Sequence, residues 1–263
     1  MDQVPLGGRS AIITGGARGL GLEIARAFVA AGARVVVTGR DQAALDAVRD
    51  ELGVTAIRAD VSDPAACAAV AEQAGPVTAL VNNAAITGPV GPADANDWDE
   101  WTQAISTNLF GTVLMCRAVL GGMRERGYGK IVNLSGGGAT GPRPNFSAYA
   151  TAKAGVVRFT ETLARELDGT GIDVNAIAPG ALNTRMRDDV LNAGPVLAGA
   201  EYEATRDRGE TSFEPATALA TYLVSADSDG VSGRLIAALW DDWRTLAMQN
   251  LDADVYTLRR VTP

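Results

Sequence analysis

Histidine is absent from this 263-residue chain. Its absence excludes Ser-His-Asp triads, Cys-His pairs and imidazole metal ligands, so any proton transfer must use another group. Cysteine is nearly as scarce. Cys67 and Cys116 stand far apart without a C-x-x-C pattern, which indicates neither a disulfide framework nor a zinc site, and both read as buried helix residues. No metal site is predicted. Lysine occurs only at Lys130 and Lys153, although arginine is plentiful. Positive charge is in deficit overall: the formal net charge is −8 and the arginines are scattered, so a phosphate backbone would be repelled and nucleic acid is not an expected partner. No apolar run is long enough to span a bilayer, and Met1 to Gly8 lacks the basic and apolar regions of a signal peptide. A cytoplasmic protein without a membrane partner is expected. Internal repeats, low-complexity tracts and Pro/Gly/Ser linkers are missing too, so residues 1–263 are expected to form a single domain.

What the chain does have is alternation. Strand-like apolar runs at 10–14, 34–38, 55–59, 79–82, 130–135, 173–178 and 234–239 are separated by Ala-rich segments at 20–31, 42–51, 64–73, 98–126, 148–167 and 215–225, whose apolar residues recur at helical spacing. The runs V-V-V, I-V-N-L and V-N-A-I-A are nearly continuous, as in parallel strands covered on both faces. The predicted fold is therefore α/β, a doubly wound, Rossmann-type parallel sheet with helices on both faces. Ligands of such sheets bind at the carboxyl ends of the strands, where the strand order reverses.

Two motifs carry chemistry. The first βα turn, T-G-G-A-R-G-L-G from Thr14 to Gly21, places Gly15, Gly19 and Gly21 between a strand and a helix. Glycines there let the backbone approach a pyrophosphate and present the helix N-terminus to its charge. Thr14, Gly15, Ala17, Arg18, Gly19, Leu20 and Gly21 are the candidate cofactor contacts of this turn. The second motif is Tyr149 and Lys153, four apart on one helix face. An ammonium near a phenol favours the phenolate, which brings an oxygen of ordinary pKa near 10 toward usefulness as an acid/base. A compact ammonium suits that task better than the guanidinium the chain uses elsewhere.

With A-D-V at 59–61, N-N-A-A at 82–85, Asn108 in S-T-N-L-F-G and P-G-A-L-N-T at 179–184 added to these, nearly the whole chain resembles the classical short-chain dehydrogenases/reductases. The resemblance implies that Asp60 and Val61 contact adenine, that Asn82 and Ala84 border the cofactor, and that Asn108 holds a water in a proton relay with Lys153. It implies that Lys153 binds the ribose hydroxyls and that Pro179, Gly180 and Thr184 flank the nicotinamide carboxamide. It also implies a homo-oligomer, most often a tetramer, built on the long helices at 98–126 and 148–167, with Val113, Ala154, Val157 and Phe159 as interface candidates. The expected activity is an oxidoreductase interconverting a ketone and a secondary alcohol, with an epimerase and a catalytically idle cofactor-binding regulator as alternatives.

The sequence departs from the family pattern twice. The serine expected thirteen residues before the tyrosine is Gly136, and Ser135 stands one position early. Adjacent strand residues point to opposite faces, so Ser135 reaches that site only through a local distortion, which three following glycines make inexpensive. Either Ser135 substitutes as donor to the substrate oxygen, or the slot stays empty to admit a bulkier substrate. Ser147 reads instead as a helix N-cap. The glycine-rich ending is replaced by W-D-D-W, and Trp240 and Trp243 are expected to be packing anchors of a tail over 240–263, with restriction of the substrate by tail residues near the site or a neighbouring subunit as the alternative.

Charge selects the cofactor. An acid at the end of the second strand would take a ribose 2′-hydroxyl, whereas Gly39 stands there with Arg40 beside it and Arg18 in the glycine loop, so NADP(H) is preferred over NAD(H). Asp41 reads as a helix cap. A lid is expected over about 181–214, irregular or weakly helical and poor in large apolar side chains, which suits a small polar or sugar-like or natural-product substrate better than a long acyl chain. Arg143 reads as a solvated loop residue, with contact to a substrate carboxylate or phosphate as the alternative.

Overall fold

The computed structural model describes residues 4–249, 251–252 and 254–259; the remaining parts of the amino-terminal segment and of the tail lie outside the described residues. Seven strands, β1 (Ser10–Thr14), β2 (Arg34–Gly39), β3 (Thr55–Arg58), β4 (Ala79–Asn82), β5 (Gly129–Leu134), β6 (Ile172–Ala178) and β7 (Leu235–Ala237), form one parallel sheet in the order β3-β2-β1-β4-β5-β6-β7. The order reverses between β1 and β4, whose ends meet in register at Thr14 and Asn82. A crevice opens beyond those ends.

Both faces of the sheet are buried, which is why its strands read as continuous apolar runs. Ile13, Val37, Val81 and Val132 pack on one face with α1 (Gly19–Ala30) and α9 (Glu214–Val224). Ile12, Val36, Leu80 and Ile131 face the other way, toward Cys67 and Val70 of α3 (Pro64–Ala74) and Met115, Cys116 and Met123 of α5 (Gly111–Arg126). Alternate side chains thus serve two apolar layers. Both cysteines are buried and free, and burial pushes their thiols up to about 11 and about 12. Asp41 accepts from the Ala44 amide to cap α2 (Gln42–Leu52), while Asp63 and Pro64 start α3.

Residues 98–126 do not form one regular helix. α4 (Trp98–Ile105) passes into α5 through a π-helical turn, Ser106–Phe110, held by Asn108, whose side-chain amide both donates to the Ile86 carbonyl and accepts from the Ile86 N–H at 2.8 Å. Asn108 is buried within this turn. By length and composition alone this helical stretch could cross a membrane, with a mean hydropathy of 1.3 over its most apolar window, contrary to the sequence expectation; its apolar side packs on the sheet. In α6 (Ser147–Glu166) Ser147 is not a cap: Phe146 holds the cap position, and the Ser147 hydroxyl accepts from Trp101 Nε1 at 3.1 Å. Val157 of α6 is fully buried within this chain, so it presents no outward interface.

The expected lid is more regular than its composition suggested. It holds α7 (Arg185–Ala198), which is broken by the non-helical Gly194 just before Pro195, and α8 (Ala200–Arg206), joined to it by the positive-φ Gly199. The tail closes the sheet edge: the Leu235 amide donates to the Tyr256 carbonyl at 2.7 Å, and the buried Glu161 of α6 accepts the Leu258 amide and pairs with Arg259. Trp243 anchors the tail, 4% exposed and 5.5 Å from the Tyr222 ring. Trp240 is 75% exposed and is no packing anchor, because β7 ends at Ala237 and the turn after it points this ring outward.

Candidate active site

The crevice has a volume of about 870 Å³ and is lined from nearly every strand end that the sequence singled out. Gly15, Ala17, Arg18, Gly19 and Leu20 form its floor at the start of α1, whose first turn carries no acidic side chain to oppose an anion. Gly21 is not in the lining and works from behind: a Cβ there would lie 2.3 Å from the Gly15 carbonyl oxygen, so only glycine lets helix and turn approach. Thr14 also works from behind. Its hydroxyl accepts from the Asn83 and Ala84 amides at 3.0 Å each, tying the end of β1 to the end of β4.

Around the same space stand Asp60 and Val61, then Ala84, and across from them Pro179, Gly180 and Thr184. Asn82 does not line the crevice. Its side chain is buried and donates to Asn133 Oδ1 at 2.9 Å, and the neighbouring Asn83 lines the wall instead. The pleat explains the exchange, since successive side chains leave a strand on opposite faces. Asn108 likewise lies behind the wall, with Thr107 reaching the lining.

At the second-strand end Gly39 leaves open space. Arg40 sits 3.6 Å from Asp60, and Arg18 pairs with Asp41, so both cations already have carboxylate partners. Burial alone would raise the Asp60 carboxyl, but the Ser62 amide and hydroxyl, with Arg40, hold it below its usual range. Asp41 is held low by the Ala44 amide and by Arg18.

Tyr149 and Lys153 of α6 point into the inner end. The Lys153 ammonium donates to the Leu134 carbonyl at 2.7 Å, lies 5.7 Å from the Tyr149 ring centroid, and is pushed down to about 8 by burial. Burial also pushes the Tyr149 phenol up, and the cation opposing that shift is Arg143. Lys153, 5.7 Å from the ring centroid, is not among the groups that oppose the shift. Arg143 is not a solvated loop residue: its side chain is 18% exposed, its guanidinium lies 4.1 Å over the Phe146 ring and 5.4 Å from the Tyr149 ring, and it pairs with Glu201 of α8 at 2.9 Å.

Ser135 lines the crevice with its Oγ buried and without a hydrogen-bond partner. A Cβ on Gly136 would lie 2.4 Å from Tyr149 Oη, so the phenol occupies the volume that a serine at 136 would need. Sequence reasoning missed Asn83 and Thr107 at the crevice, whose only signal was proximity to motifs; Glu201 of the expected lid and Trp240 of the tail also reach the lining. An anion-ready helix start, glycines that admit close approach and an orphaned buried hydroxyl together fit a dinucleotide carrying a reactive ring beside Tyr149.

A parallel sheet in this order with a Tyr/Lys pair at its switch point defines a dinucleotide-type oxidoreductase architecture, and the comparisons with known proteins agree. The short chain dehydrogenase profile matches residues 9–193, and the chain belongs to that family. It is 40% identical over 208 residues to an acetoacetyl-CoA reductase of Paracoccus denitrificans, covering 73% of this chain and 85% of that one. To a galactitol 2-dehydrogenase (L-tagatose-forming) of Cereibacter sphaeroides it is 42% identical over 189 residues, 69% of this chain and 74% of the other. Among solved structures, a variant of actinorhodin polyketide ketoreductase with NADPH superposes with a TM-score of 0.79 at 33% identity, over 87% of this chain and 95% of that one.

Proposed function

We propose that this chain is an NADP(H)-dependent reductase or dehydrogenase that interconverts a ketone and a secondary alcohol on a small polar, sugar-like or natural-product substrate. The observation that carries the reading is the meeting of Tyr149, Lys153 and the unpartnered Ser135 Oγ at the inner end of one crevice. The names of the relatives, a keto-thioester reductase and a polyol dehydrogenase, favour the same reaction. NADP(H) is favoured by the open Gly39 position beside Arg40 and Arg18, and by the NADPH in the similar ketoreductase.

A bound nicotinamide supplies or takes the hydride. In the reading proposed here Tyr149 gives or takes the hydroxyl proton, Ser135 donates to the substrate oxygen, and Lys153 holds the ribose hydroxyls. Asn108, through its two bonds to Ile86, fixes the loop after β4 that walls the site. We further place the protein in the cytoplasm as a homo-oligomer, a tetramer favoured, with the exposed Phe110 and the half-exposed Val113 as available apolar surface. A monomeric mass by light scattering at micromolar concentration would contradict the assembly.

The deciding experiment incubates the purified protein with NADP(H) and a panel of ketones, polyols and sugars, following cofactor absorbance and product stereochemistry together. Net cofactor turnover is expected. Inversion of a stereocentre without net turnover would make it an epimerase, and binding without either would make it a regulator.

A further inference from the structure

The chain carries a net charge of −8, yet its crevice gathers arginines. Arg143 and Arg208 line it with Glu201, while Arg185 and Arg187 stand on the side of Arg18 and Gly19. Of these arginines Arg143 is the one packed beside Tyr149, 5.4 Å from its ring centroid. Its stem lies along Gly137, where a Cβ would sit 3.7 Å from Cδ, Nε and Cζ, and against Gly138, where a Cβ would come within 3.1 Å of the Arg143 Cβ. Phe146 supports one face of its guanidinium at 4.1 Å. Its Nε is buried without a partner, and its Nη2 holds Glu201 Oε2 at 2.9 Å. A guanidinium so fixed, beside the acid/base tyrosine, is a carboxylate fork with one carboxylate already on it.

We propose that Arg143 is the specificity-determining anchor for a carboxylate on the substrate, and that Glu201 is an internal occupant which that carboxylate displaces. Resting on the ketone/alcohol reading above, this makes the substrate a short oxo acid or hydroxy acid whose carbonyl reaches Tyr149 while its carboxylate replaces Glu201. The exchange also removes the Arg143–Glu201 contact between α8 and the loop before α6, while Tyr202 of α8 stays packed on the cluster of Phe146 and Tyr149.

Two measurements test the proposal. Calorimetric titration with malonate, and with malonamide as its uncharged counterpart, reads the contact without turnover. Malonate should bind better than malonamide, Arg143→Gln should weaken malonate about 10- to 100-fold, the worth of hydrogen bonds to a charged group, and Glu201→Gln should tighten it. Turnover of acetoacetate against acetoacetamide reads the same preference during reaction. The acid-over-amide ratio of kcat/KM should fall about 10- to 100-fold in Arg143→Gln and rise about two- to fivefold in Glu201→Gln, as a partly exposed ion pair no longer has to be broken. If the pair merely braced the lid, both variants would shift acid and amide alike and malonate affinity in the same direction, and the proposal would fall. It falls equally if wild-type protein binds malonate no better than malonamide. Absence of turnover with both ketones, while malonate still depends on Arg143, would overturn the reductase reading and leave the anchor standing.

Discussion

Tyr149 Oη and a side chain at position 136 compete for one volume, because a Cβ there would stand 2.4 Å from the phenol oxygen. Gly136→Ser should therefore displace Tyr149 and lower turnover by itself, and it should not rescue a Ser135→Ala protein. Ser135 keeps its hydroxyl buried and unpartnered at the same end of the crevice, where a substrate oxygen would complete it. Ser135→Ala should cost about 10²- to 10³-fold in kcat, the usual loss for one donor to a developing oxyanion. Steady-state rates of the two single variants and the double variant check this. Near-normal turnover in Ser135→Ala would give the site to Tyr149 alone. Tyr149→Phe should reduce kcat on the order of 10²- to 10⁴-fold while leaving the cofactor dissociation constant nearly unchanged. Lys153→Ala should damage both, since the ammonium that holds Leu134 at 2.7 Å is also the group assigned to the ribose. A Tyr149→Phe enzyme retaining most of its rate would place the proton source elsewhere.

At the scale of elements, the site depends on how closely β1, α1 and β4 converge. Gly21 lets α1 sit against the turn, with a Cβ position 2.3 Å from the Gly15 carbonyl oxygen and 2.5 Å from Asn83 Nδ2. Asn83 in turn donates to the Thr14 and Gly15 carbonyls at 3.0 and 3.2 Å. Gly21→Ala forces backbone atoms apart and breaks this clasp. The expected cost is about 1–3 kcal/mol of stability, as for other overpacked sites, with a larger loss of cofactor affinity. Denaturant midpoints and cofactor titration read the two effects separately, and an unchanged midpoint would show that the turn relaxes freely. The π-helical turn at Ser106–Phe110 is the other element-level device, and it carries the Asn108 side chain that bonds both the N–H and the carbonyl of Ile86.

For the whole molecule, charge is distributed against its own average. An acidic chain concentrates arginines at one crevice, where Arg18 and Arg40 flank the open Gly39 position. NADPH should bind at least about tenfold more tightly than NADH, roughly 1.4 kcal/mol, a modest amount for charge-assisted contacts to a 2′-phosphate. Because Arg18 and Arg40 are paired with Asp41 and Asp60, the phosphate must draw them from existing partners. Equal dissociation constants would show that those carboxylates win.

By itself the sequence determined the parallel sheet, the glycine turn at its switch point and the Tyr149/Lys153 pair. These are written in local terms: an apolar run buried on both faces, glycine where backbone must approach backbone, and a four-residue spacing on one helix face. The same local logic failed where partners came from far along the chain. Only the tertiary structure turned Asn82 into the core and Asn83 into the crevice, since strand register decides which of two adjacent residues faces the ligand. It also moved Arg143 from solvent to the side of Tyr149, because its partner Glu201 lies 58 residues away on a lid helix whose docking no local pattern encodes. Trp240 and Trp243, three residues apart in one motif, were separated into an exposed ring and a buried one by the turn that follows β7. Chemistry near the backbone motifs was legible because spacing fixes it. Substrate recognition was not, because it is assembled from side chains brought together only when the lid packs onto the sheet.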